Sequence, residues 1–214
     1  MMKKLLTLLL TALLLIFSVA GCGSDSSSSS SSSKTQITEE QKKQASAEAM
    51  RILSSMVQKT DEVEKLTWYM PYSGNIPAQD AVYWYAGIKG DQVWMRAAII
   101  NFTSDINWVF WDKVIFSTTE KNWEYKIDDC FAGQSGGGKH TEVVFGGKYE
   151  TLDVSFDELE QGYRLLITGT NPIIRLKGRD SHYDYRLTET DLNHLKTGIY
   201  VYDQLKVADF KIIK

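Results

Sequence analysis

The chain has 214 residues, of which 43% are hydrophobic and 24% charged, and its formal net charge at pH 7 is −3. This composition is typical of a globular protein and excludes a largely disordered one. The chain has slightly more acidic than basic residues, whereas nucleic-acid binding requires a basic surface. We therefore expect no nucleic-acid partner. The part after residue 38 is long enough for one domain with a hydrophobic core.

The N-terminus has the features of a secretory signal peptide. Lys3 and Lys4 precede an apolar run from Leu5 to Ala20, and this order is typical of secreted proteins. The run of about 16 residues is shorter than the roughly 20 that a membrane-spanning helix requires, although an uncleaved membrane helix is the alternative. We therefore predict a signal peptide over residues 1–21, whose removal would leave a net charge of about −5.

The end of this segment, Val19-Ala20-Gly21-Cys22, resembles the lipobox of bacterial lipoproteins. The resemblance implies cleavage before Cys22 and thioether lipidation of its side chain. One acyl chain holds a protein only marginally at a bilayer, whereas two or more hold it stably. A lipoprotein on the extracytoplasmic face of the cell membrane is therefore implied, with inner and outer membranes both left open.

Residues 22–38 are predicted to form a tether that starts at the lipidated cysteine. The segment is rich in serine, which buries no apolar surface and keeps the chain flexible. A tether of this length has a typical reach of roughly 20 Å. The folded part would therefore stay near the membrane surface.

A first amphipathic helix is predicted over residues 39–60. Thr38 and Gln41 form a capping box, in which each side chain bonds the backbone N–H of the other residue. Apolar residues then recur at helical spacing to about Lys59. These residues are Ala45, Ala49, Ile52, Leu53, Met56 and Val57. The helix either packs on the domain, which the wide apolar stripe favours, or forms a stalk between tether and domain.

Residues 61–214 are predicted to form a β-rich domain. Segments rich in aromatic and β-branched residues are separated by Gly, Asn, Asp and Ser turns, which is a pattern typical of strands. The segments are 65–70, 81–88, 92–102, 108–117, 122–127, 142–145 and 182–187. The segment 92–102 is apolar on both faces and is predicted to be central, whereas 182–187 alternates like a strand with one solvated face.

Two further helices are predicted, over about 156–168 and 189–205. Each begins with a capping box, at Ser155 and at Thr188. Residues 199–202 also suit a strand, which is the alternative for that segment. Strands with helices to one side favour the α+β class, with a mainly antiparallel sheet or sandwich, an N-terminal amphipathic helix and these two helices.

The stretch Gly133–His140, GQSGGGKH, contains the patterns of two catalytic motifs. Its first five residues match the nucleophile elbow G-x-S-x-G around Ser135. Its full length comes within one residue of a phosphate-binding loop, with His140 where a hydroxyl should stand. Both motifs require a following helix, but the next residues are β-rich. We therefore predict a flexible loop between two strands, no catalytic residues and no enzyme activity.

Other reactive side chains have simpler explanations. One strand face would carry Asp180, His182 and Asp184, at a spacing compatible with metal binding. A solvent-exposed strand face explains the same polar residues equally well. We therefore expect no metal or other cofactor. The acidic pair at 128–129 is predicted to form a turn. Cys130, the cysteine left after lipidation, is predicted to be a small apolar core residue, with a reactive thiol or an intermolecular disulfide as alternatives.

Aromatic residues are abundant, with six Trp and 11 Tyr. In Tyr83-Trp84-Tyr85 the strand alternation places the two tyrosines on one face and Trp84 on the other. One face must be core. The other is either shielded as well or forms a platform on which sugar rings or partner side chains stack.

Short segments between Asp61 and the C-terminus carry a family resemblance. They are 61–63, 67–69, 93–96, 112–116, 173–178 and 183–187. They resemble an uncharacterised domain of bacterial, mostly Gram-positive, lipoproteins and prophage-associated proteins. The resemblance implies a β-rich domain with helices and brings no reaction, ligand or catalytic residue with it. Arg96 and Arg175 lie in the matching segments, where we expect them to extend to solvent or to pair with buried carboxylates.

These features together predict a membrane-anchored lipoprotein that acts as a binding or interaction module of the cell envelope. Its partners would be the membrane, through the lipid at Cys22, and an envelope protein or glycan. The alternatives are a cell-wall glycan-binding module that uses its surface aromatics and, less favoured, an envelope hydrolase that uses Ser135. The ligand-binding residues are left open.

Overall fold

The computed structural model describes residues 36–73, 79–104, 108–144 and 146–213. The chain divides into two units, of which the second runs from Ile37 to Lys214 and contains every described helix and strand. The predicted signal peptide, the lipidation site Cys22 and most of the predicted tether lie outside the described residues.

Three helices and ten strands make up the described part of the folded unit. In chain order they are α1 (Glu39–Leu53), β1 (Val57–Asp61), β2 (Leu66–Met70), β3 (Ala81–Lys89), β4 (Gln92–Thr103), β5 (Trp111–Ser117), β6 (Asn122–Lys126), β7 (Lys139–Val144), β8 (Gly147–Ser155), α2 (Phe156–Thr168), β9 (Ile173–Gly178), β10 (His182–Arg186) and α3 (Glu189–Val207). The strands form a six-stranded sheet in the order β1-β2-β3-β4-β8-β7 and a four-stranded sheet in the order β10-β9-β5-β6. All the pairings are antiparallel, so the predicted α+β class is confirmed.

Strand β4 lies inside the larger sheet, between β3 and β8. Met95, Ala97 and Ile99 belong to the main core on one face, whereas Ala98 and Ile100 belong to a second apolar cluster on the other. A strand that is covered on both faces needs apolar residues in successive positions. The central position predicted for residues 92–102 is therefore confirmed.

Helix α1 begins as predicted but ends early. The Thr38 hydroxyl accepts from the Gln41 N–H at 3.2 Å, and the Gln41 side chain accepts from the Thr38 N–H at 2.8 Å. The helix ends at Leu53, so the prediction of a helix to about residue 60 is wrong in its last turns. Residues 57–61 instead form β1, which pairs with β2, because strand pairing outweighs the helical spacing that Met56 and Val57 continue.

The other two helices have the predicted bounds to within two residues. Helix α2 spans 156–168, and α3 starts at Glu189 and runs through 199–202 to Val207, so the alternative strand at 199–202 is wrong. Leu195, Ile199 and Tyr202 are all buried, so the apolar spacing of this segment serves a helix face.

The main core lies between the inner face of the larger sheet, the smaller sheet and the helices. Its buried members come from both sheets and all three helices, with Leu53 on α1, Leu159 on α2 and Leu205 on α3. Trp84 belongs to this core and is 1% exposed. The two tyrosines beside it therefore point to the opposite, outer face of the larger sheet, as strand alternation requires.

The indole of Trp84 is held by His194 of α3. The Trp84 Nε1 donates to the His194 carbonyl oxygen at 2.9 Å, and the Trp84 backbone N–H donates to the His194 Nε2 at 3.3 Å. The two rings stack at a centroid distance of 5.3 Å. The His194 Nε2 must be unprotonated to accept this bond, and burial lowers the pKa of His194 below its ordinary value of 6.5, an effect that the charge of Asp191 only partly offsets.

Lowering the pH from 7 to 5 should reduce the free energy of unfolding, and His194→Gln should remove part of that reduction. Because the pKa of His194 is lower in the folded state, the unfolded chain binds more protons once the pH falls below about 6.5. Stability is therefore lost as the pH falls through this window. Urea unfolding at both pH values measures the effect. His182→Gln, at an exposed position of β10, is the control, and an unchanged pH dependence in His194→Gln would contradict the assignment.

Candidate functional site

Five aromatic rings form a continuous row on the outer face of the larger sheet. We call Trp94, Trp68, Tyr85, Tyr83 and Tyr72 the aromatic row. Successive ring centroids are 5.8, 5.5, 6.2 and 5.3 Å apart. Successive ring planes differ by 90°, 54°, 39° and 78°. The row is therefore a set of aromatic faces tilted relative to one another.

Gly87 permits the contact between the two tryptophans of the row. It pairs with Trp68 on β2 and with Trp94 on β4, so both indoles meet over its backbone. A Cβ at this position would lie 2.6 Å from Trp94 and 2.8 Å from Trp68, which is closer than packed atoms tolerate. A glycine within an otherwise apolar strand is thus explained by close packing of side chains above it.

Four of these rings, all except that of Trp94, line a concave surface that we call the sheet groove. Its cavity volume is about 500 Å³, which lies within the range of small-molecule sites. The groove is lined by Val57, Gln58, Lys59, Trp68, Met70, Tyr72, Ser73, Tyr83, Tyr85 and Asp153. Within the row Tyr83 is 8% exposed, whereas Trp68, Tyr72 and Tyr85 are half-buried. The outer face is thus partly shielded by its own rings and partly open.

A hydrogen-bonded cluster of three residues, Tyr85, Arg96 and Asp153, adjoins the aromatic row. The Arg96 Nε donates to the Asp153 carboxylate at 2.8 Å, and the Tyr85 hydroxyl donates to the same carboxylate at 2.6 Å. Arg96 also donates to the Asp153 carbonyl oxygen at 2.8 Å. Burial, together with the bond to Asp153, raises the pKa of Tyr85 far above its ordinary value, so its hydroxyl stays a neutral donor.

This cluster corrects the expectation for Arg96 in one respect. Arg96 does pair with a carboxylate, but the Asp153 side chain is 43% exposed rather than buried. Asp153 was missed in the sequence because it lies 57 residues from Arg96, on a strand that the segment pattern did not delimit. The signal that could have found it is the arginine itself, since a charged residue within an apolar strand needs a partner.

The glycine-rich stretch Gly133–His140 ends the connection from β6 of the smaller sheet to β7 of the larger sheet, and its last two residues begin β7. Both motifs require a helix after the loop, whereas a strand follows here. Gly133, Gly136 and Gly138 have positive φ angles, and a Cβ at any of them would meet backbone oxygen within 2.5 Å. The loop joins two strands as predicted, and its glycines serve close backbone packing.

Lys139, the first residue of β7, is a buried cation. Its side chain is 0% exposed, and its Nζ lies 3.0 Å from the Glu150 carboxylate, which is 2% exposed. The Nζ also donates to the Gly133 carbonyl oxygen at 3.1 Å and lies 4.3 Å from the ring centroid of Trp111. Desolvation by burial lowers the pKa of Lys139, although the negative charge of Glu150 opposes this effect. The lysine of the apparent phosphate-binding motif is thus a buried structural residue that ties the start of β7 to the loop.

The remaining candidates have structural partners. Asp184 accepts two hydrogen bonds from Arg175, at 2.6 and 2.8 Å, and among the described residues no group of three His, Cys, Asp or Glu side chains is placed to hold a metal ion. The pair 128–129 forms the predicted turn. Cys130 is half-buried and packs against the main core, and burial raises the pKa of its thiol. These positions therefore add nothing to the sheet groove.

Comparison of the chain with protein-family models found no match, and comparisons with curated proteins and with solved structures likewise found none. In the part of the chain that the structure describes, no helix is long and apolar enough to cross a membrane. The fold and the groove define an α+β domain with two antiparallel sheets, one of which carries a ligand-sized aromatic groove on its outer face.

Proposed function

We propose that this protein is a lipoprotein, anchored through Cys22 on the extracytoplasmic face of the cell membrane, whose folded unit binds a partner in the cell envelope. The anchor is supported by the lipobox at 19–22 and the apolar run before it. The serine-rich tether keeps the folded unit near the membrane. A flexible tether of this kind raises the effective concentration of a binding domain at the membrane surface.

The binding role is supported by one observation: the sheet groove is lined by rings of the aromatic row, of which Trp68, Tyr72 and Tyr85 stay half-buried. Large aromatic side chains gain free energy from full burial, and contiguous apolar surface that stays open marks interaction sites. Oriented polar groups at the edge of such a groove, as in the Tyr85–Asp153 pair, are typical of ligand sites.

Cys22→Ala should abolish lipidation of the full chain. In cells fed labelled palmitate, the native protein should incorporate the label and the variant should incorporate none, because the thioether needs the Cys22 sulfur. Cys130→Ala is the matched control and should incorporate as much label as the native protein. Label that survives in Cys22→Ala, or a native protein that keeps residues 1–21, would contradict the anchor.

Binding is tested apart from anchoring. The full chain, solubilised in mild detergent, should co-sediment with isolated, detergent-washed envelopes of the bacterium that carries the gene. Detergent removes retention through the lipid, so sedimentation reports a partner of the folded unit. A native protein that stays in the supernatant would contradict the binding role.

A further inference from the structure

We propose that the sheet groove binds an uncharged carbohydrate, with sugar rings seated on the aromatic row and sugar hydroxyls bonded by the polar cluster at Asp153. This inference rests on the proposed binding function and names the class of ligand. It is carried by three properties of the groove: its aromatic lining, its oriented polar groups and its charge balance.

The apolar lining of the groove consists mainly of aromatic rings. Trp68, Tyr72, Tyr83 and Tyr85 contribute four rings, whereas Val57 and Met70 contribute the aliphatic surface. A sugar ring has apolar C–H faces that stack on aromatic rings. Because the ring planes are tilted relative to one another, the row offers stacking faces in more than one orientation.

The polar groups at the groove suit hydroxyl ligands. Tyr72, Tyr83 and Tyr85 bring phenol groups to the lining of the groove, and a phenol hydroxyl both donates and accepts, as a sugar hydroxyl does. The Asp153 carboxylate, which lines the groove, is oriented by Arg96 and Tyr85 before any ligand arrives. Such preorganisation reduces the entropy that is lost when a ligand binds.

The charge balance favours an uncharged ligand. Aromatic rings also recognise quaternary ammonium ions, but here the negative charge of Asp153 is compensated by Arg96 at 2.8 Å. Lys59 adds an exposed positive charge to the lining, which disfavours a cation further. An anion would find Arg96 already engaged with Asp153 and Lys59 solvated, so neither offers it a strong site.

Binding should be measured with the full chain in detergent by calorimetric titration with a panel of neutral oligosaccharides, the N-acetylglucosamine tetramer among them. We expect at least one member to bind, and Trp68→Ala to weaken that binding on the order of tenfold by removing a stacking face. Asp153→Asn, which preserves the side-chain shape, should weaken it severalfold. Trp123→Ala, on β6 of the other sheet, is the matched control and should bind like the native protein.

The inference is overturned if no oligosaccharide binds, or if binding survives both groove substitutions. Choline chloride and a library of envelope-derived peptides are titrated in parallel, and binding of either in place of sugar would also overturn it. If the native chain sediments with envelopes while every sugar fails, the proposed binding function stands and only the ligand class is wrong. Near-ultraviolet circular dichroism checks whether Trp68→Ala is folded. If Trp68→Ala is unfolded, Asp153→Asn alone decides the test.

Discussion

Replacing Lys139 with Met should lower the free energy of unfolding by about 3 to 5 kcal/mol, the typical cost of breaking a buried ion pair from one side. The substitution keeps most of the side-chain volume but leaves the Glu150 carboxylate charged, 2% exposed and without its cation. It also leaves the Gly133 carbonyl oxygen without the bond that Lys139 donates. Denaturant unfolding of the full chain measures the loss.

Two further variants test whether the loss of stability comes from the burial of the Lys139–Glu150 pair or from the removal of a positive charge alone. Lys113→Met removes a cation of similar shape from the exposed pair with Glu124, and it should cost less than about 1 kcal/mol. The double variant Lys139→Met/Glu150→Gln should recover part of the loss. The buried charge is then gone, and the side-chain oxygen can still accept from the Val109 N–H as Glu150 does. Equal effects of Lys139→Met and Lys113→Met would show that water reaches the Lys139–Glu150 pair.

Replacing Gly133 with Ala should cost roughly 3 kcal/mol or more of unfolding free energy. The residue has φ +70°, and an added Cβ would lie 1.8 Å from the Phe110 carbonyl oxygen. Backbone cannot move aside as a flexible side chain can, so the loop must shift away from the residues before β5. The same denaturant experiment measures this cost.

Gly90→Ala is the matched control for this substitution. Gly90 has nearly the same conformation, φ +66°, but nothing lies within 4 Å of a Cβ built there. It should therefore show only the cost of the left-handed conformation, about 1 kcal/mol. If Gly133→Ala costs no more than Gly90→Ala, the contact with Phe110 is not a constraint on the fold.

Features that depend on neighbours in the chain were predictable from the sequence. The start of α1 at its Thr38 capping box, the bounds of α2 and the central place of β4 all follow from local patterns, and all are confirmed. The end of α1 was not predictable, because Met56 and Val57 fit the helical spacing as well as they fit a strand. Pairing of β1 with β2 decides this segment in favour of the strand.

Features that depend on strand register were not predictable. The sequence indicated that Tyr83 and Tyr85 share a face, but not that Trp68, Trp94 and Tyr72 join them. Those rings come from other strands and from the segment after β2. Which rings meet depends on the pairings of β2 with β3 and of β3 with β4. The groove therefore became visible only once the sheet was assembled.

The sequence by itself determined the α+β class, the helix starts and which residues of β3 share a face, because periodicity and capping act over a few residues. It also carries the lipobox on which the proposed anchor rests. Only the tertiary structure decided that Lys139 is a buried partner of Glu150 and that Asp153 joins Arg96 beside the aromatic row. These pairs arise from contacts between residues 11 and 57 positions apart, and such contacts are set by the pairing of β8 with β7 and β4.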